Sequence, residues 1–485
     1  MDIELLASTL LSRLEHGFDH VLGQHISRME VALSARQVPE GLTIVEDPVS
    51  VHPGYGIELL LFMGGKYNRF SCPQQAMGVQ LASQNTTNFA IHMATGQGKS
   101  LVWLFPASIA THRTTILITP YPGLMQDIKD RCEDHLLDWE IWSPSNPHPE
   151  HTPILLVSTD QVAHPLFMAH VWHLKAANKV ARVILDEPQA LVTSQRYRPI
   201  RTQLTSLADM GIPFGLLSAT LPSGIVPPLM GMLGIRNLHV VRGCTARPNL
   251  AYHRQVCESS ADLRKGVVSL AKELILHMAS GERGMVICVN DEDTTYFSHQ
   301  LGAEMFTSDL SLEEQDLTIH RFRTKASGTI VCTTGLIQGI VIPHARWSIH
   351  AGLPHDVVDA IQSLRPIGRD GKESHCHLMA LRSQCAEVQE EGDVLGVGAI
   401  RRIVSQPNLC VQEALTGFND LHALSCGALH SALCDRCQAL GMVRSQGGSF
   451  SVSDCHRPSV WVDLTTPFSK TQHLSPRSPS LRPGS

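Results

Sequence analysis

The chain has 485 residues, more than one hydrophobic core usually serves, so we expect two or three domains. Its formal net charge of -6 excludes a globally basic nucleic-acid binder, so any DNA or RNA site has to be a local groove. No apolar run reaches the roughly 18 residues that a membrane-spanning helix needs, and we expect no membrane partner.

Residues 1–66 are predicted to form an N-terminal helical extension. The opening MDIELLASTLLSRLEHGFDH carries acids at Asp2 and Glu4 and no basic leader, which favours an amphipathic helix over a signal peptide. The 13 cysteines are an odd number spread along a long chain. Without a secretory signal, they indicate a reducing compartment.

Short apolar runs, bounded by Gly, Pro, Ser or Asp, alternate with helical stretches in two series. This pattern is typical of buried parallel strands in α/β sheets. The first series is FAIHM (89–93), TTILITP (114–120), ILLVST (154–159), VARVILDE (180–187) and FGLLSAT (214–220). The second is GMVICVN (284–290), GTIVCTT (328–334), RWSIHAG (346–352) and CHLMAL (376–381).

The two series predict an α/β fold with two tandem parallel-sheet domains, 67–246 and 247–400. The division lies within GCTARPNLAYHRQ (243–255), where Gly and Pro interrupt the pattern. A cysteine-containing segment, 401–438, follows. The tail, 439–485, is rich in Gly, Ser and Pro, cannot bury enough apolar surface to fold, and is predicted to be disordered.

The stretch MATGQGKS, Met93 to Ser100, has the context of a phosphate loop. It follows an apolar strand and precedes a helical run, and its small residues let backbone N–H groups surround a phosphate. Lys99 is expected to reach the β- and γ-phosphates of ATP, and Ser100 to ligate Mg²⁺. Met93 stands where the usual motif has its first glycine. The predicted nucleotide-binding residues are Ala94, Thr95, Gly96, Gln97, Gly98, Lys99 and Ser100.

Asp186 and Glu187 end the apolar strand VARVIL, so both carboxylates are expected at the carboxyl edge of the sheet. Alone, an Asp-Glu pair after a strand is common. Together with the phosphate loop it predicts a Walker-B site, with Asp186 holding Mg²⁺ through water and Glu187 acting as general base.

These motifs, in this order, resemble the RecQ family of superfamily 2 DNA helicases over about Tyr67 to Cys437. The resemblance implies two RecA-like domains. It rests on further stretches: YNRFSCPQQ (67–75), TPYPGLMQDIK (119–129), STDQV (158–162), DEPQ (186–189), YRP (197–199), SAT (218–220) and VCTTGLIQGIVIP (331–343). In the first of these, Gln74 or Gln75 takes the adenine-recognition position. By the same resemblance, the hydroxyls of Thr119, Ser158 and Thr333 contact DNA phosphates, although strand-end caps or turns explain each hydroxyl equally well.

IQSLRPIGRDG (361–371) aligns with the family's motif VI. A guanidinium from the second domain can stabilise the charge that develops at the γ-phosphate, and Arg369 matches the family position for this role. The family's other arginine falls on Pro366, with Arg365 one residue early. The chain also departs from the family pattern at Gln189 of the DEAH box and at Val341 of motif V.

Four cysteines, Cys410, Cys426, Cys434 and Cys437, have the spacing C-x15-C-x7-C-x2-C. Thiolates in this pattern suit a tetrahedral Zn²⁺ site, and the RecQ family has a zinc-binding segment at this place. Buried thiols without a metal are the alternative.

Three functions are compatible with the sequence. The first is an ATP-dependent 3′–5′ DNA helicase of DNA repair and recombination, located in the nucleus, with single-stranded and partly duplex DNA as partner; direction and location come from the resemblance alone. The second is a degenerate helicase-like protein that binds ATP and nucleic acid without productive unwinding, motivated by Gln189, Val341 and Pro366. The third is a P-loop switch or scaffold, against which the second α/β domain argues. The sequence identifies no protein partner.

Overall fold

The computed structural model describes residues 55–64, 70–120, 122–147, 151–193, 200–307, 310–325, 327–334, 342–386, 393–420, 422–442 and 460–463. The predicted amphipathic N-terminus, the YRP stretch, Val341 and most of the predicted tail lie outside these residues.

The first sheet has eight strands in the order β14-β7-β1-β6-β5-β2-β4-β3, parallel except for β14. Its strands are β1 (Phe89–His92), β2 (Thr114–Thr119), β3 (Trp139–Ile141), β4 (Ile154–Ser158), β5 (Val180–Asp186), β6 (Phe214–Ser218), β7 (Asn237–Arg242) and β14 (Val460–Asp463). The helices of this part are Tyr55–Phe62, Pro73–Gln84, Leu101–Ile109, Pro122–Asp134, Thr159–Val162, Pro165–Ala176, Ala190–Thr193, Arg201–Asp209 and Val226–Leu233, with a 3-10 turn at Ser223–Ile225.

The second sheet has six parallel strands in the order β10-β11-β9-β12-β13-β8. They are β8 (Leu250–Cys257), β9 (Arg283–Cys288), β10 (Glu304–Phe306), β11 (Gly328–Thr333), β12 (Ala345–Ala351) and β13 (Ser374–Leu381). The helices beside it are Ser260–Leu276, Asp291–Leu301, Leu312–Thr324 and Val357–Ser363, with a 3-10 turn at Arg382–Cys385. The C-terminal segment adds Val397–Ser405, Val411–Asn419 and Asp435–Ala439.

Both faces of each central strand are buried, which explains why the strands read as continuous apolar runs. In β2, Ile116 and Ile118 pack into one core cluster while Leu117 packs into the cluster on the opposite face. In β9, Met285 and Val286 divide in the same way between two clusters of the second domain. Helices therefore cover both sides, as parallel sheets require.

The predicted α/β class with two parallel-sheet domains is confirmed, and each of the nine predicted runs contains a strand. Strands β3, β7, β8, β10 and β14 were not predicted, and β14 lies in the tail that was predicted to be disordered. β7 ends at Arg242 and β8 begins at Leu250, so the chain passes from one sheet to the other between these residues. Of the predicted tail, 460–463 pairs antiparallel with β7. None of the described helices combines the length and apolar character needed to cross a bilayer.

Candidate functional site: a cleft between two parallel sheets

The carboxyl ends of β1, β5 and β6 bring three loops together at one edge of the first sheet. β6 lies between β1 and β5 in the sheet, so the turn after Ser218 stands between the phosphate loop and the Asp186–Glu187 pair. This edge is where parallel α/β sheets bind their ligands. The sequence predicted the phosphate loop and the acidic pair as neighbours, and the topology makes them so.

The phosphate loop turns sharply at two glycines, Gly96 (φ 88°) and Gly98 (φ 77°). A side chain at Gly98 would also come within 2.5 Å of the Gln75 amide nitrogen. Within the loop, the Ala94 N–H donates to Gln97 Oε1 at 3.1 Å, and Lys99 Nζ donates to Met93 O at 3.2 Å. The lysine therefore lies over its own loop, at the place where phosphate oxygens are expected.

The two glutamines predicted to recognise adenine bond to the protein itself. Gln75 Nε2 donates to the carbonyls of Gln97 (3.3 Å) and Gly98 (2.8 Å), and its Oε1 accepts from the Ser71 N–H at 2.8 Å. Gln74 Nε2 donates to Arg242 O at 3.4 Å. In this structure both amides brace the backbone around the loop, and the adenine role stays a prediction.

Glu187 is buried and held by three partners. Its Oε2 accepts from Gln189 Nε2 at 2.7 Å and from Ser218 Oγ at 3.3 Å, and its Oε1 accepts from Arg365. Ser218 Oγ lies 2.8 Å from Gln189 Oε1. Gln189, which departs from the family's histidine, thus joins the acidic pair to the SAT turn. The backbone of Glu187 has φ 56°, a left-handed conformation that costs a non-glycine residue about 1–3 kcal/mol and occurs most often at functional sites.

The charged groups of this cleft shift one another's pKa values. Burial and the neighbouring Glu187 carboxylate raise the pKa of Asp186 to about 6. Burial alone would also raise the pKa of Glu187, but the Arg365 and Lys99 cations outweigh it and hold that pKa below its ordinary value. Burial, followed by Arg365, lowers the pKa of Lys99 to about 8. At neutral pH Glu187 is therefore a carboxylate, as a general base must be.

The second domain contributes Arg365, not Arg369, to direct contact with this cleft. Arg365 Nη2 donates to Glu187 Oε1, and its Nε donates to Thr95 Oγ1 at 3.3 Å. The Arg369 side chain donates to the backbone carbonyl of Arg365 at 3.1 Å, within its own turn. The one-residue offset of Arg365 in the sequence therefore does not keep its guanidinium from the phosphate loop.

Arg131 is a cleft residue that sequence reasoning missed. It lies in the helix Pro122–Asp134, where Asp127 holds its Nη2 at 2.6 Å. Its Nη1 donates to the hydroxyl of Ser100, the oxygen predicted to ligate Mg²⁺. The only signal in the sequence was the Asp-x-x-x-Arg spacing, which is equally typical of a surface ion pair.

The oxygens present fit the predicted Mg²⁺ site. Ser100 offers a hydroxyl and Asp186 a half-buried carboxylate, both hard donors of the kind that Mg²⁺ takes with water and phosphate. Burial and Glu187 raise the pKa of Asp186, and the nearby cations Lys99, Arg365 and Arg131 oppose this rise.

The three hydroxyls predicted to contact DNA lie at strand ends. Thr119 and Ser158 are register partners at the ends of β2 and β4, and Thr333 ends β11. Thr119 is 1% exposed, whereas Ser158 and Thr333 are half-buried. The structure thus brings Thr119 and Ser158 together in the first domain, and their contact with DNA stays a prediction.

The four cysteines of the C-terminal segment converge. Cys410 Sγ lies 3.6 Å from Cys426, 3.9 Å from Cys434 and 3.7 Å from Cys437. Four thiolates about 2.3 Å from a tetrahedral Zn²⁺ stand about 3.8 Å apart, so these spacings fit a zinc site. Asp435, between the last two cysteines, fastens the turn to β8 through Arg254 at 2.7 Å.

Two family patterns match the chain. Residues 72–226 match the DEAD/DEAH box helicase family, and residues 266–371 match the helicase conserved C-terminal domain.

Curated relatives include ATP-dependent DNA helicase hus2/rqh1 of Schizosaccharomyces pombe, 25% identical over 59% of this chain and 23% of its own length. RecQ-like DNA helicase blm-1 of Caenorhabditis elegans is 25% identical over 59% of this chain and 31% of its own. ATP-dependent DNA helicase RecQ of Haemophilus influenzae is 22% identical over 60% of this chain and 48% of its own length. The chain thus spans only 23% to 48% of the length of these relatives.

Solved structures share the fold. DUF1998 helicase MrfA bound to DNA and AMPPNP superimposes with a TM-score of 0.53 at 17% identity, covering 71% of this chain and 51% of that one. Mss116p bound to ssRNA and AMP-PNP superimposes with a TM-score of 0.52 at 14% identity, covering 64% of this chain and 70% of that one. These structures share the fold, and the two helicase family patterns together with the curated relatives make the chain similar to the RecQ-like helicases of superfamily 2.

Proposed function

We propose that the chain hydrolyses ATP at the cleft between its two domains and uses the cycle to move along and unwind DNA, as a RecQ-type helicase. The observation that carries this proposal is the reach of Arg365 across the cleft to Thr95 and Glu187. A second-domain guanidinium between the phosphate loop and the general base is what coupling of hydrolysis to domain closure requires.

In the proposed cycle, Lys99 leaves the carbonyls of its loop and binds the β- and γ-phosphates, while the loop N–H groups hold the phosphate chain. Ser100 and Asp186 would hold Mg²⁺, and the bound ion would neutralise phosphate charge. Glu187 orients and deprotonates the attacking water. Arg365 exchanges Glu187 for the γ-phosphate as charge builds there, and takes the role that the sequence motif gave to Arg369. Gln189 and Ser218 both bond to Glu187, so a change in the contacts of that carboxylate is transmitted to the SAT turn.

The nucleic-acid partner is proposed to be single-stranded and partly duplex DNA, contacted by Thr119, Ser158 and Thr333. The three curated relatives named above are DNA helicases, which supports DNA as the partner. A 3′–5′ direction, a role in repair or recombination and a nuclear location are further parts of this proposal. Strand-displacement substrates with a single 3′ or 5′ overhang test the direction, and imaging of the tagged protein tests the location.

The cysteine cluster is proposed to bind Zn²⁺. The sulfur spacings support it, and the metal would supply folding free energy to this segment. Three segments, ending at Cys410, Cys426 and the CDRC turn, would be joined at one point.

The decisive experiment is a DNA-stimulated ATPase and strand-displacement assay on the wild type, Lys99→Ala and the matched control Lys272→Ala, whose side chain is exposed on a second-domain helix. We expect turnover in the wild type and the control, and none in Lys99→Ala. ATP binding without turnover in the wild type would instead support the degenerate helicase-like alternative.

A further inference from the structure

The segment that joins the two sheets bonds directly to the loop that carries Arg365. We call residues 364–371 the arginine loop. Arg247, in the joining segment, donates through Nη1 to the carbonyls of Leu364 (3.1 Å) and Arg365 (3.4 Å). Its Nη2 donates to the carbonyl of Ile367. One guanidinium therefore holds three carbonyls of the arginine loop.

Asn249, two residues further on, holds the other end of the arginine loop. Its Nδ2 donates to the carbonyls of Gly368 and Lys372, each at 2.8 Å. Gly368 has φ +56°, and a side chain there would come within 2.5 Å of the Asn249 amide nitrogen. Only a glycine at this position allows the joining segment to approach so closely.

Packing alone does not explain where Arg365 points. Leu364 and Ile367 are buried in the core of the second domain, at 4% and 0% exposure, and anchor the backbone. The Arg365 side chain, in contrast, borders a cavity of about 40 Å³, shared with Thr95 and Arg247. On this side hydrogen bonds from Arg247 and Asn249 hold the backbone of the arginine loop.

The joining segment is itself fixed to a third part of the chain. Thr245 donates through its N–H to Asp420 Oδ2 at 2.8 Å, and the amide of Asn419 donates to Thr245 Oγ1 at 2.7 Å. Asn419 also donates to Ala219 O of the SAT turn at 3.0 Å. The joining segment is thus linked through Asn419 to the SAT turn of the first domain, and it bonds directly to the arginine loop of the second.

We propose that Arg247 and Asn249 are positioning residues that aim Arg365 at Thr95 and Glu187 and tie its place to the segment joining the two domains. Neither residue touches the reacting atoms. The inference rests on the proposed ATPase function for its consequence, but the geometric part can be measured without it.

Hydrogen exchange tests the geometric part on the full chain. Arg247→Ala and Asn249→Ala should speed exchange of the arginine-loop amides by at least about tenfold, since each removes hydrogen bonds that hold this backbone. Arg247→Lys keeps the charge but loses the fork, and should give a smaller increase in a protein that folds. The control is Arg382→Ala, which removes an exposed pair with Glu258 in the same domain. Wild-type exchange rates in both Arg247 variants would overturn the proposal.

A double-mutant cycle tests the consequence. Arg247→Ala should lower kcat for ATP by roughly 10²-fold with little change in KM, since displacement of a catalytic group acts mainly on the transition state. In an Arg365→Ala background, Arg247→Ala should cost no further activity. Additive losses would show that Arg247 does not act through Arg365 and would overturn the proposal. A wild type without ATPase activity would refute the proposed function, and hydrogen exchange would then still decide on the positioning.

Discussion

Replacing Arg365 with Ala should abolish most ATP turnover, whereas replacing Arg369 should not. Arg365 makes both contacts that cross the cleft, to Glu187 and to Thr95, while Arg369 bonds only to the backbone of its own turn among the contacts described. An arginine finger contributes about 10³–10⁵ in rate, or about 4–7 kcal/mol at 1.36 kcal/mol per factor of ten. We expect a loss of at least about 10³ for Arg365→Ala and of about tenfold or less for Arg369→Ala.

Arg365→Ala should have a second effect, on the general base. Burial raises the pKa of Glu187 once the Arg365 cation that opposes it is removed, so less of the carboxylate is ionised near neutrality. The acid limb of the pH–rate profile should therefore move to higher pH in Arg365→Ala. Arg365→Lys, which keeps the charge, should return the limb toward its wild-type position while recovering only part of the rate.

The assay is kcat for ATP at saturating single-stranded DNA, with nucleotide binding and Tm measured on each variant. Arg264→Ala, which removes a surface pair with Glu292 and Asp293, is the control for loss of an arginine from the second domain. A loss of 10³ in Arg369→Ala, together with near-normal turnover in Arg365→Ala, would refute the reasoning and return the finger role to Arg369.

Three other outcomes are expected. Arg131→Ala should lower the Mg²⁺ concentration needed for half-maximal nucleotide binding, because the guanidinium and Mg²⁺ need the same Ser100 oxygen; an unchanged Mg²⁺ requirement would exclude this competition. The wild type should contain one equivalent of zinc and Cys434→Ser less than half, with a lowered Tm, while Cys72→Ser, outside the cluster, keeps its metal; metal analysis decides. Burial lowers the pKa of His350 to about 4, so below about pH 6.5 the unfolded chain takes up a proton that the folded chain refuses, and stability is lost as the pH falls. Between pH 7 and 5 the folding free energy lost through His350 is about 2 kcal/mol. This loss should be smaller in His350→Gln, and calorimetry giving the same pH dependence of stability in both proteins would contradict the prediction.

The strands that could be predicted are those buried on both faces, because there the hydrophobic effect leaves an unbroken apolar run. Those that were missed lie near the edges of the sheets or are short. β8 reads LAYHRQVC and has a neighbour on one side only, so polar residues are tolerated there. β3 and β10 have three residues each, too few for a periodic pattern.

The phosphate loop and the acidic pair could be predicted because strand, turn and helix fix them locally. The role of Arg365 could not be predicted, because it depends on which side chain of the second domain reaches across the cleft. The N–H of Arg365 still bonds to Gln362 O in the helical turn, before Pro366 redirects the chain. Arg131, Arg247 and Asn249 were missed for the same reason. The partners of Arg247 and Asn249 are far away in the sequence, and Ser100, the partner of Arg131, lies on another element.

The contacts of Asn419 and Asp420 have a consequence for how the molecule is made. Asn419 bonds to Ala219 across 200 residues of sequence, and Asp420 to Thr245 across 175. Contacts of such long range form late, and domains of a growing chain fold as they emerge from the ribosome. Each sheet can therefore assemble during synthesis, while the junction that joins them has to wait until residue 420 has been added. A nascent chain released before that point would carry the second sheet, β1 to β7 of the first sheet and the complete phosphate loop. It would lack β14 and the bonds that hold the SAT turn to the joining segment.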